Sequence, residues 1–126
     1  MSNTSATNIN LNELKKRCVT REYKHQLLSF MQEYEAMESC KRRLEDLKRR
    51  EKFSAELIDI LDRRSAIELQ EEFAAERDRA NDRIKEQTRI LKYKASLLME
   101  AVERMNEIGI QLNSPALAIA GKFLDA

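Results

Sequence analysis

The chain has 126 residues, 42% hydrophobic and 36% charged, with no tryptophan. Its 23 basic and 22 acidic residues leave a formal net charge of +1, which excludes a global field for nucleic acid or a membrane surface but leaves room for local patches. No glycine or proline precedes Gly109, so a β-rich or loop-rich fold is excluded over most of the chain.

Alanine, leucine, glutamate, lysine and arginine dominate, which is the composition of long or coiled helices. Residues 1–8 are small and polar and are expected to be a disordered tail. They hold no apolar core, so no leader peptide is expected. Residues 9–126 are expected to form a single helical domain. Asn10 is the expected N-cap of the first helix, with Glu13 completing a box-like pair. That helix is predicted over about 10–62. Its apolar stripe runs through Leu11, Leu14, Cys18, Tyr23, Leu27, Phe30, Tyr34, Met37, Leu44 and Leu47. The stripe slips near Val19, where a distortion or short break is expected. No stretch of about 18 uncharged apolar residues occurs, so no membrane span is predicted.

A break is predicted near 62–65. Ser65 and Glu68 form an S-x-x-E capping box just before Ile67, Leu69 and Phe73. Arg63 and Arg64 would then close the first helix, and Glu68, Glu71 and Glu72 would open the second. The second helix is predicted over about 65–112. It carries a heptad seam at Ile84, Thr88, Leu91, Ala95, Leu98, Val102, Met105, Gly109 and Leu112. Ile90, Leu97, Met99, Ile108 and Ile110 widen that face beyond a two-stranded contact, so a third helix, a second chain or a partner is expected to cover it. Ser114 and Pro115 open a short helix over about 115–124. That segment is expected either to fold back on the second helix or to dock on a partner.

The segment 41–52 holds seven basic and three acidic residues, with two KRR triplets seven residues apart. Lys41, Arg42, Arg43, Lys48, Arg49 and Arg50 form a stripe that either contacts phosphates or is a solvated face matched by the acids of 68–82. A hairpin turning near Arg64 would set Arg49 against Asp78 and Lys41 against Glu86. Cys18 and Cys40 would lie about 33 Å apart along one helix at about 1.5 Å per residue, too far for an internal disulfide. Two reduced, half-buried thiols are expected. His25 is the sole histidine and has no second ligand at zinc spacing. Carboxylates are abundant, but slender helices do not build the desolvated site a general acid needs. No catalytic residue, cofactor or metal is expected, and the chain reads as a non-enzyme.

The predicted fold is all-α: an elongated antiparallel helical hairpin, or coiled coil, with a short C-terminal helix. A three-helix bundle with an extra break between Lys41 and Ser54 is the alternative, and a long parallel dimer comes third. The predicted function is a coiled-coil adaptor or structural subunit of a multiprotein complex, in a cytoplasmic or nuclear setting. Its partners would be proteins supplying helices, or a second copy of the chain, and no membrane. The candidate contact residues lie in two groups: Phe53, Ile60, Ile67 and Phe73, and Leu97, Leu98, Met105, Ile108, Leu117, Phe123 and Leu124. If the tail folds back, the second group becomes core. Nucleic-acid binding through the basic stripe is the alternative function.

Overall fold

The computed structural model describes residues 2–56 and 62–125, with residues 2–10 described by backbone alone. They form three helices, α1 (Ser2–Glu56), α2 (Arg63–Glu107) and α3 (Pro115–Asp125), and no strand occurs among the described residues. The fold is all-α, a helical hairpin followed by a short C-terminal helix. The chain divides into two compact units, Met1–Glu33 with Ile90–Ala126, and Tyr34–Arg89. Helices α1 and α2 each contribute to both.

Helix α1 starts at Ser2, well before the expected cap at Asn10. Nothing in the opening residues stops a helix, since glycine and proline are both absent there. The helix is also continuous through Val19 and from Lys41 to Ser54, so neither expected break occurs. The three-helix bundle built on the second break is therefore not the fold.

The cap of α2 differs from the sequence reading. Asp62, not Ser65, is the N-cap. Its carboxylate accepts the Ser65 backbone N–H at 2.9 Å and the Ser65 hydroxyl at 2.9 Å. The Ala66 N–H donates to the Asp62 carbonyl at 3.0 Å, closing the first helical turn. Aspartate is as good a cap as serine, and its side chain satisfies a donor that has no partner within the helix. Arg63 and Arg64 accordingly open α2 instead of closing α1, and the first turn of α2 holds no acid. Arg64 is compensated by Glu68, one turn on, at 3.4 Å.

The end of α2 also differs, at Glu107 in place of Leu112. Gly109 adopts φ 85°, a left-handed conformation that favours glycine. The Ile110 N–H donates to the Met105 carbonyl at 3.0 Å, and the Gly109 N–H donates to the Asn106 carbonyl at 3.0 Å. This is the Schellman arrangement, which satisfies carbonyls that the helix end leaves free. Helix α3 begins as predicted. Ser114 Oγ accepts the Ala116 N–H at 3.4 Å, and Pro115 takes the first helical position, where its missing N–H costs nothing.

In the first unit the core is built from Tyr23 and Phe30 of α1, Leu91, Ala95, Leu98, Ala101, Val102 and Met105 of α2, and Ala116 and Ala120 of α3. The Phe123 ring meets the Phe30 ring edge to face, with centroids 6.2 Å apart. Helix α3 thus folds back and supplies the third helix that the wide face of α2 requires. In the second unit Leu44 and Leu47 of α1 pack with Ala80 of α2, and Phe73 and Ile84 close around them. The helices run antiparallel there: Met37 meets Thr88, whose hydroxyl approaches its sulfur at 3.9 Å, while Glu51 meets Arg77.

Candidate functional site

Among the described residues of the second unit, the large apolar side chains left in solvent are Phe53 near the end of α1 and Ile67 near the start of α2. Phe53 is 60% exposed and Ile67 is 45% exposed. Their sequence neighbours, Ser54 on α1 and Ala66 on α2, are buried. The Ser54 hydroxyl donates to the Glu51 carbonyl at 2.8 Å, so its burial leaves no unmet polar group. Among the described residues, no buried side-chain nitrogen or oxygen lacks a partner.

Phe53, Ser54, Leu69 and Phe73 form the floor of an open groove of about 520 Å³, flanked by Arg49 and Arg50. Phe73 also packs against the Leu44–Leu47–Ala80 core, so one wall of the groove is anchored. Ile67 lines a separate concavity with Arg63, Arg64 and Glu68, on a different face of α2 from Leu69 and Phe73. The groove therefore offers apolar surface with cationic edges.

The basic stripe is ordered differently from the sequence reading. Lys41 pairs with Glu38 at 3.7 Å within α1, not with Glu86, and Glu86 pairs with Arg89 at 3.7 Å. Asp78 lies 3.8 Å from Arg77, not against Arg49. Neighbours three and four residues apart on one helix are closer than residues across the hairpin, so exposed long side chains find them first. A cross-hairpin pair is formed instead by Arg77 and Glu51, where Arg77 Nη1 donates to both carboxylate oxygens at 2.8 and 2.9 Å. Arg50 pairs with Asp46 at 3.1 Å. Arg42, Arg43, Lys48 and Arg49 are exposed and make no ion pair among the described residues.

The second group of candidate contact residues belongs to the first unit. Leu98 and Met105 are buried and present nothing to a partner. Leu97, Ile108, Leu117 and Phe123 are half-buried, and only Leu124 is exposed. The folded-back α3 accounts for this, because Phe123 packs on Phe30. Ile60 of the first group, with Leu57, Ile58 and Leu61 beside it, lies outside the described residues.

Cys18 is exposed, against the expected half-burial, and Cys40 is half-buried; both are free thiols. His25 is exposed. No cluster of three or more His, Cys, Asp or Glu is placed to hold a metal among the described residues. No helix of the described residues is long and apolar enough to cross a membrane. The groove-lining roles of Ser54, Arg49 and Arg50 were not visible as such in the sequence. Their only signal was a position within a turn of Phe53. Comparison with protein-family models, with curated proteins and with solved structures finds no match.

Proposed function

We propose that this chain is a non-enzymatic helical adaptor, a structural subunit that binds a partner helix in the groove of its second unit. One observation carries the reading: Phe53 stands in solvent and lines an open groove together with Ser54, Leu69 and Phe73. An amphipathic partner helix would seat an apolar side chain between Phe53 and Phe73. A carboxylate one turn away on that helix would meet Arg49, which makes no ion pair among the described residues. Aromatic anchors at the centre of a contact, with arginine at its edge, are the residue types that dominate binding energy.

The test is a pull-down from the natural host with the full-length tagged chain, divided into nuclease-treated and untreated halves. Stoichiometric protein partners should survive nuclease. Phe53→Asp should remove them while helicity is retained, because that side chain is already exposed. A second reading is supported by Arg42, Arg43 and Lys48, which are exposed, make no ion pair among the described residues and would hold a nucleic-acid backbone. It expects the captured material to vanish with nuclease. It also expects Arg42→Gln with Arg43→Gln to weaken binding uniformly and to lower its salt dependence.

A further inference from the structure

The first unit carries a groove of a different chemistry. It occupies about 510 Å³ and is lined by Lys16, Arg17, Thr20, Arg21 and Lys24 of α1 and by Ile110. Lys16, Thr20 and Lys24 recur at four-residue steps and form one row, with Arg17 and Arg21 forming the next. The Schellman turn at Gly109 creates the opposite wall. It ends α2 at Glu107 and holds Ile110 by its N–H to the Met105 carbonyl. Thr20 is tied from below, its hydroxyl 3.8 Å from the Met105 sulfur.

No carboxylate lines this groove among the described residues. Its four cations make no ion pair or side-chain hydrogen bond among the described residues. The nearby Glu22 is engaged with the Gln26 amide at 2.9 Å. The basic segment 41–52 differs, because acids are interleaved there and Lys41 and Arg50 are paired. On the preceding turns of α1, Leu11 is 57% exposed and Leu14 is 53% exposed. Leu14 precedes Arg17 and Cys18 by three and four residues, so the apolar row continues into the outer basic row.

From this arrangement we infer that the groove is a second docking site, for an acidic amphipathic helix of a partner protein. Charge complementarity selects the sign of the ligand, and Leu11 and Leu14 require it to carry an apolar row as well. A nucleic-acid strand would satisfy the cations but leave both leucines in water, and the groove has no aromatic ring to stack a base. Two leucines are too little apolar surface to seat a helix in a bilayer interface. In a second copy of this chain Glu68 pairs with Arg64 and Asp78 with Arg77, but Glu71, Glu72, Glu76 and Asp82 make no ion pair among the described residues, so self-association is the rival occupant that the test must separate. The inference concerns a surface separate from the Phe53 groove and does not depend on that reading.

The test pans a phage-displayed library of helix-forming peptides of about 18 residues, or about five turns, against the full-length chain. Enriched peptides should carry Glu or Asp and Leu at three- and four-residue spacing. Their affinity should fall about tenfold or more in the Lys16→Glu, Arg21→Glu double variant. It should also fall in Leu14→Gln and be unchanged in Phe53→Asp. Circular dichroism of the variants, which change only exposed side chains, shows whether the fold is retained. The inference is overturned by neutral or basic peptides winning the selection, by equal binding to the charge-reversed variant, or by no enrichment. It is equally overturned if duplex DNA or phosphatidylserine vesicles displace the peptides at lower concentration, or if the groove variants abolish self-association of the chain.

Discussion

Asp62 caps the start of α2. The Ser65 backbone N–H, then the Ser65 hydroxyl, then the Arg64 N–H, hold its carboxyl below the usual carboxylate value. Because the folded value lies below the unfolded one, the stabilisation is complete above the unfolded value. It is lost as the pH falls through the lowered folded value. Asp62→Asn keeps an acceptor for the Ser65 N–H and removes the charge. Its thermal midpoint should therefore show less loss on acidification than the wild type, and an NMR titration of Asp62 should fall below free aspartate. A midpoint at the free value would remove the cap from the account. Gly109 makes a separate prediction. A Cβ there meets nothing within 4 Å, so the cost of Gly109→Ala lies in the backbone alone. Urea unfolding should show a loss of about 1–2 kcal/mol, the penalty of a left-handed conformation for an L-residue. D-alanine introduced by semisynthesis should show no such loss.

At the level of the helices, much was legible because it rests on periodicity. The seam from Leu91 to Met105 is buried as its four- and three-residue spacing requires, and the stripe of α1 is buried from Tyr23 to Leu47 at its inward positions. The boundaries were less legible, because a cap is a local contest between neighbours. Asp62 and Ser65 both suit an N-cap, and composition does not say which oxygen turns towards the free N–H groups. Gly109 fitted the heptad as well as it fitted a C′ position, and the seam reading hid the stop. Leu11 and Leu14 matched the α1 stripe yet remain exposed, because α2 ends before it can cover them. Truncating the seam tests its weight. Leu98 is fully buried, so Leu98→Ala should cost about 2–5 kcal/mol in urea unfolding. Phe123→Ala should act on one element: amide exchange in α3 should accelerate towards the unprotected rate, while exchange around Leu44 and Leu47 stays slow. Acceleration that fails to appear in α3 would mean that Ala116 and Ala120 hold the helix without the Phe30 contact.

For the molecule as a whole, the near balance of charge decides how binding should respond to salt. The sequence announced that balance and the amphipathic helices, but not where local charge stays uncompensated. That depends on which bases find acids at three- and four-residue spacing, as Lys41 and Arg50 do and as Lys16, Arg17, Arg21 and Lys24 do not. With a net charge of +1, long-range attraction contributes little to a ligand held by Phe53, Leu69 and Phe73. Burial of apolar surface is not screened, whereas the Debye length falls from about 10 Å at 0.1 M salt to about 3 Å at 1 M. Affinity for a helix bound at the Phe53 groove should therefore change by less than about threefold across that range, since only the contact to Arg49 is screened. Affinity for an acidic helix at the Lys16–Lys24 groove should drop by about tenfold or more, mainly through slower association. Isothermal titration at stepped salt, with Phe53→Asp and the Lys16→Glu, Arg21→Glu double variant as controls, separates the two. A steep salt dependence that survives the loss of Lys16 and Arg21 but disappears with Arg42→Gln and Arg43→Gln would transfer the function to the basic stripe of α1.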